Sequence, residues 1–312
     1  MALRLGGRLR GVCSLPTLTP THLESWVHAN RRSFAPPIMN KLLHRSQLSI
    51  MLVGGPNERT DFHIEEGSEL FYQLRGSMQL PIVHAGRREV VHIHEGQIFL
   101  LPSRIPHSPQ RPEPGSLGLV VERQRGEDEA PDGLRWYVDF ETCDEVLWER
   151  YFHCRDLGKD LAPVVEAFRQ SEEYRTGRPT GAHVFDRPPL IQDTGTVVPG
   201  PFHLRDWLAK HRQVLVGASL NLFEGHPDRE FKVRIEGGPS SNRMRSRRET
   251  WLYQLHGKVD VELHGRVTTV LEGACLIVPA DMDCFIHRPE GSIGMTVRND
   301  PGANRSTSPS SE

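Results

Sequence analysis

The 312-residue sequence has no Cys-x-x-Cys pair, and its five cysteines (Cys13, Cys143, Cys154, Cys275 and Cys284) are odd in number and widely scattered. That argues against a cysteine zinc site and a disulfide framework, and fits free thiols in a reducing compartment. No apolar run approaches the roughly 20 residues that a membrane-spanning helix requires. Excess charge is also lacking. A formal net charge of −2 gives no electrostatic reason to expect nucleic acid or an anionic membrane as partner. The densest basic run, Arg243 to Arg248, reads as a solvated loop, since one local run rarely makes a binding footprint.

What is present describes a soluble globular chain, with 37% hydrophobic and 25% charged residues and enough length for two domains. The first residues carry Arg4, Arg8 and Arg10 without an acid, somewhat as a mitochondrial presequence does. Gly6, Gly7, Gly11 and Pro16 spoil a long amphipathic helix there, so residues 1–20 are expected to be a disordered extension. Thr21 and Glu24 have capping-box spacing, which predicts a short helix over about 22–31. Strands follow at Leu48–Val53, Glu69–Leu74, Met78–Val83, Val90–His94, Gln97–Leu101 and Leu117–Glu122, with glycine and proline between them. Short strands at near-regular spacing suggest an all-β sandwich or barrel. Helical periodicity appears at Leu161, Val164, Val165 and Phe168, and again over about 203–212, with strands resuming at Val214. The Gly-, Pro-, Thr- and Asp-rich stretch 175–200 reads as a linker, centred on 181–197, and 301–312 as a disordered tail.

An internal repeat sets the architecture. Gly54-Gly55-Pro56 recurs as Gly237-Gly238-Pro239, and Tyr72-Gln73-Leu74 as Tyr253-Gln254-Leu255. Gly96 with Pro102 recurs as Gly273 with Pro279, and Arg111-Pro112-Glu113 as Arg288-Pro289-Glu290, all at an offset of about 180. The expectation is one barrel written twice, over 21–180 and 198–300. The copies differ at the residues that could carry chemistry. His63 faces Met244 to Ser246, Glu69 faces Thr250 or Glu249, and His107 faces Cys284. A single working site is therefore expected, in the first copy, with a structural second barrel.

Two histidines and a carboxylate on one face suit a divalent first-row metal and leave coordination positions open, the geometry of non-haem Fe(II) oxygenases. Residues two apart on a strand share a face, so His63 and Glu69 both look inward if the turn at Gly67 keeps register. His107 arrives from a later segment placed by Pro102 and Pro106. Each histidine alone, among sixteen, reads as structural; the spacing and the asymmetry between the copies single these out.

His63-x-Glu65-x3-Glu69-x6-Gly76 followed by Gly96-x5-Pro102-x4-His107 resembles the two signature motifs of the cupin superfamily. Cupins often carry His-x-His in the first motif, and Glu65 stands at the second position here, so the facial set requires Glu65 to point elsewhere. The flanking residues, Gly54 to His63, Glu69 to Leu74, Pro106 to Arg111, Leu119 to Arg123 and Tyr174 to Pro179, resemble the 3-hydroxyanthranilate 3,4-dioxygenases. The likeness covers roughly residues 24–300 and is nearest to the animal-type, two-cupin form.

The resemblance implies Fe(II) on His63, Glu69 and His107, and ring opening of 3-hydroxyanthranilate by O2 to 2-amino-3-carboxymuconate semialdehyde. That product closes to quinolinate on the kynurenine route from tryptophan to NAD. It further implies substrate contact by Glu69, Arg111 and Glu122, O2 contact by Arg59, and catalytic roles for Arg59 and Glu122. A cytosolic monomer belongs to the same expectation. Arg111, four residues past His107, suits bidentate binding of a carboxylate. Glu122, on an otherwise apolar strand, is the candidate base. Asp61 is a candidate to orient one of the arginines. The alternatives are a non-catalytic metal-binding cupin that captures small molecules, and a different cupin enzyme such as a thiol dioxygenase or a sugar isomerase.

Overall fold

The computed structural model describes residues 17–34, 39–155 and 157–303. A two-residue strand β1 (Thr21–His22) leads into helix α1 (Leu23–Ala29). The first half then runs through β2 (Asn40–Arg45), β3 (Leu48–Gly54), β4 (Phe62–Ile64), β5 (Glu69–Arg75) and β6 (Met78–His84). It continues with β7 (Arg87–Ile93), β8 (Gln97–Leu101), β9 (Leu117–Arg123), β10 (Asp132–Tyr137) and β11 (Val146–Phe152). Helices α2 (Leu157–Arg169) and α3 (Glu172–Thr176) follow. The second half opens with β12 (Phe202–His203), helix α4 (Leu204–His211), β13 (Ser219–Asn221), β14 (Phe231–Gly237) and β15 (Ser240–Arg245). It closes with β16 (Thr250–His256), β17 (Lys258–Leu263), β18 (Arg266–Leu271), β19 (Ala274–Val278), β20 (Asp283–Arg288) and β21 (Ile293–Asn299).

Each half folds into a barrel of two opposed layers. In the first, the six-stranded sheet β12-β8-β5-β9-β3-β2 faces β11-β10-β4 and the hairpin β6-β7. In the second, β1-β19-β16-β21-β14-β13 faces β15-β20-β17-β18. The repeat extends to irregularities. The pairing of β5 with β9 slips between Gln73 and Arg75, that of β16 with β21 between Gln254 and His256, and the Gly55-Pro56 and Gly238-Pro239 bonds are both cis.

The two six-stranded sheets pack against each other, which explains why their strands read as near-continuous apolar runs. Leu48, Ile50, Leu52, Leu70, Leu119 and Val121 share a cluster with Val233, Ile235, Trp251, Met295 and Val297 of the second barrel. Period-two alternation then turns Glu69, Phe71, Val120 and Glu122 into the lumen of the first barrel. Phe71 and Val120 pack there with Leu80, Ile82 and Phe99.

Several expected boundaries shift. The extension assigned to residues 1–20 falls outside the described residues up to 16, but Leu18 is buried among Leu252, Val259 and Leu276 of the second barrel. Thr21 pairs with Cys275, so the segment assigned to the first domain adds a strand to the second. Phe202 pairs with Ile98 in the opposite exchange. Because Thr21 is held in that strand, His22 and not Thr21 caps α1, accepting from the Ser25 amide. The stretch read as a linker is packed down, with Leu190 buried and Gln192 bonded to Arg135. Strands resume at Ser219 rather than Val214. The basic run is not wholly a loop either, since Arg243 and Arg245 lie on β15. Of the tail, residues 301–303 form a turn and the remainder lies outside the described residues. No helix among the described residues is long and apolar enough to cross a membrane.

Candidate metal centre

His63 sits in the middle of β4, between the buried Phe62 and Ile64, and its backbone exchanges both hydrogen bonds with His107 at 2.8 and 2.9 Å. Glu69 begins β5 after the turn at Gly67. That turn is pinned from the second barrel, where Glu230 accepts from the Ser68 amide (2.7 Å) and hydroxyl (3.1 Å). The three side chains converge, with one donor atom of each within 4.8 Å of the others and all three buried. Glu69 Oε1 lies 2.7 Å from His107 Nε2 and 3.8 Å from His63 Nδ1.

The outward nitrogens are committed elsewhere. His107 Nδ1 bonds the Ile105 carbonyl at 2.9 Å, and His63 Nε2 bonds Asp132 Oδ2 at 2.9 Å. Carboxylate or carbonyl partners of this kind fix the ring and tautomer of a metal-ligating histidine. Glu65, which had to point elsewhere, pairs with Arg125, and Arg125 reaches Asp132 at 2.6 Å. Asp132 and Arg125 were not singled out from the sequence. Asp132 opens a distant strand and Arg125 lies in a charged loop, and only their position against His63 and Glu65 marks them.

The donor set fits a divalent metal. Five buried or nearly buried carboxylates (Asp61, Glu65, Glu69, Glu122 and Asp132) crowd together with three guanidiniums (Arg59, Arg111 and Arg125), and burial with the neighbouring carboxylates pushes Glu65 and Glu122 toward their neutral forms. Burial opposes charge on His63, yet the Asp132 and Glu69 carboxylates raise its pKa to about 10. Burial also disfavours the Glu69 carboxylate, but His107 and then His63 hold it below the usual range. The site calls for positive charge, which a divalent cation supplies through oxygen and nitrogen donors of the right kind.

Beside this set opens a cleft of about 180 Å³ bordered by Met51, Phe71 and Val120 and by Arg59, Arg111 and Glu122. The sequence-derived candidates therefore share one cleft. Arg111 is almost completely buried, at 2% exposure, and its only side-chain hydrogen bond among the described residues is to Met78 Sδ at 3.3 Å. Gly118 makes room for it, since a Cβ there would stand 2.9 Å from Arg111 Nη2. Burial lowers the Arg111 pKa to about 10. Arg59 pairs with Asp61, and its backbone is clasped by the Gln110 side chain at 2.8 and 2.7 Å. Glu122 is buried on β9, where burial first and the Glu69 charge second push its pKa up to about 8.

The second barrel fills the same positions differently. Met244 pairs with Cys284 as His63 does with His107, and Thr250 opens β16 as Glu69 opens β5. Arg298, in the place of Glu122, donates from Nε to the Thr250 hydroxyl (2.8 Å) and from Nη2 to Met244 Sδ (2.9 Å). A guanidinium thus stands among the positions of the lost ligands. Arg288, the counterpart of Arg111, is paired with Glu236 at 3.0 Å and bonded to Gln254 at 3.1 Å. The residue aligned with Glu236 in the first barrel is Val53, which leaves Arg111 without such a partner.

The profile of the 3-hydroxyanthranilic acid dioxygenase family matches residues 16–169. The 3-hydroxyanthranilate 3,4-dioxygenase of Rattus norvegicus is 44% identical over 284 residues, covering 91% of this chain and 97% of that protein. That of Homo sapiens is 43% identical, with the same coverage of both. Among solved structures, a mutant salicylate 1,2-dioxygenase of Pseudoaminobacter salicylatoxidans superposes with a TM-score of 0.57 at 12% identity, covering 91% of this chain and 84% of that one. That last likeness is one of fold, and the fold is a pair of cupin barrels.

Proposed function

The chain belongs to the 3-hydroxyanthranilate 3,4-dioxygenase family, and from that premise we propose how its cleft opens the ring of 3-hydroxyanthranilate with O2. The metal is held by His63, Glu69 and His107, and we assign it as Fe(II), which two imidazoles and one carboxylate on one face suit. When bound, Fe(II) supplies a path for electrons from the aromatic ring to O2.

Arg111 binds the substrate carboxylate through its planar fork. That contact sets the ring between Met51, Phe71 and Val120 and turns its hydroxyl and amine toward Glu69 and the two histidines. Glu122 takes the hydroxyl proton on a carboxylate oxygen, a role that its raised pKa suits near neutral pH. Arg59, steadied by Asp61, faces the side where O2 enters and stabilises negative charge that develops there. Asp132 holds His63 in one ring orientation, backed by Arg125 and Glu65. The apolar walls restrict water around these groups.

The observation that carries this reading is the buried Arg111 without a carboxylate partner, in the cleft that also holds two histidines and a glutamate. The test is anaerobic loading with Fe(II), then 3-hydroxyanthranilate and air, following ultraviolet absorbance and oxygen uptake. One O2 consumed per substrate with a transient product band, abolished in His63→Ala, is expected. Tight Fe(II) binding without oxygen uptake would leave a binding protein instead. We also propose a monomer working in the cytosol, which sedimentation and cell fractionation test.

A further inference from the structure

A second cavity, of about 320 Å³, opens in the barrel that lacks the metal donors. It is bordered by Arg243, Arg245, Arg288 and Arg298, with Met244 and Ile286 as apolar wall and Glu236 as its one carboxylate. The charges there do not balance. Glu236 is taken up by Arg288 and by the Thr296 hydroxyl at 3.2 Å, and Arg243 is answered by Asp283 on the rim. Arg298 and Arg245 form no ion pair among the described residues. Arg298 is half-buried, and burial first among its surroundings lowers its pKa. Its hydrogen bonds go only to a hydroxyl and a thioether, and the Glu236 charge that partly offsets its burial is shared with Arg288, so an added anion would stabilise it.

We propose that this cavity is a binding site for a small organic acid, whose carboxylate is held by Arg298 with Arg245 at the rim and whose apolar part lies against Met244 and Ile286. The site is distinct from the catalytic cleft. A guanidinium fork presents paired donors matched to a carboxylate. The apolar wall of Met244 and Ile286 favours a guest with an apolar part over inorganic phosphate.

The experiment is equilibrium dialysis of the anaerobic Fe(II)-loaded protein against radiolabelled phthalate, with inorganic phosphate as a second probe. Two phthalate sites are expected in the wild type. Arg111→Met should remove the site in the catalytic cleft and leave the other. Arg298→Met should weaken the second at least tenfold while kcat/KM for the ring-opening reaction stays within about twofold. Arg245→Met, at an exposed rim position, should weaken the same site less and guards against a folding defect in the first variant. A single phthalate site lost in Arg111→Met, or a second site indifferent to both Arg298→Met and Arg245→Met, would overturn the proposal. Tighter binding of phosphate than of phthalate at that site would overturn the assignment to an organic acid.

Discussion

Replacing Arg111 by methionine should raise stability and destroy activity together, because the same missing partner drives both effects. The side chain is 2% exposed and burial holds its pKa at about 10, well below the ordinary guanidinium value. That difference corresponds to about 3 kcal/mol against the charged form, of which a real protein recovers part by relaxation. Methionine keeps the apolar stem and removes the charge, so the substrate-free, metal-loaded protein should gain about 1–3 kcal/mol in urea unfolding. The folded-state pKa lies below the unfolded one, so the unfolded chain binds more protons from about pH 10 up to the ordinary guanidinium pKa. The wild-type penalty is therefore full below pH 10 and fades above it. Binding runs the other way. A substrate carboxylate left buried without its guanidinium costs about 2–5 kcal/mol, which is about 30- to 5000-fold in kcat/KM. The assay pairs urea midpoints with kcat/KM for 3-hydroxyanthranilate and for 2-aminophenol, which lacks the carboxylate. The wild type and Arg111→Met should differ greatly on the first substrate and little on the second. A variant that loses stability, or that discriminates between the two substrates as the wild type does, would refute the reasoning.

Other perturbations separate the remaining roles. Val53→Glu installs the carboxylate that Glu236 supplies in the second barrel; it should pair with Arg111, preserve the unfolding midpoint and cut kcat/KM about as deeply as Arg111→Met, and retained activity would sink the idea. If Glu122 is the base, kcat/KM should rise with pH along an acidic limb at or below about 8, since bound metal lowers the value from its metal-free level. Glu122→Gln should flatten that limb and lose about 10²- to 10⁴-fold in rate; an unchanged pH profile would assign the proton to another group. Asp132→Asn should weaken Fe(II) affinity about 10- to 100-fold, measured by competition with a chelator, and unaltered affinity would show that His63 does not depend on it.

Much of this was legible in the sequence because glycine and proline mark turns and a repeat displays them twice. The repeat pointed to two barrels, and its divergent positions singled out His63, Glu69 and His107. What could not be read is what depends on contacts between distant segments. Thr21 has the spacing of a helix cap, but its backbone is claimed by Cys275, which no local signal announces. Asp132 lies 69 residues from His63, and nothing in its neighbourhood distinguishes it from a surface acid. The basic run is solvated, as its composition suggests, with Arg243, Arg245, Arg247 and Arg248 exposed, but its first arginines lie on a strand and not in a loop, which no local turn signal reveals. Glu65 could be excluded from the ligand set only through Arg125, sixty residues on by sequence number.

The second barrel does more than fill space. It lends Glu230 to the Ser68 turn before Glu69 and to Arg123 beside Glu122, Asp228 to the Ser103 amide, and β12 to the edge of β8. Its own lumen has been changed in ways that make sense only jointly. An arginine in the position of Glu122 would repel a divalent cation held by His63, Glu69 and His107, so gaining Arg298 is compatible only with losing the ligands. Conversely, without Arg298 the Thr250 hydroxyl and the Met244 sulfur would lose the guanidinium that now donates to both. Glu236 answers Arg288, so that guanidinium is not free to take a ligand carboxylate as Arg111 is. The charge at the metal position is thereby inverted between the two copies, so a divalent cation that suits the first is repelled by Arg298 in the second.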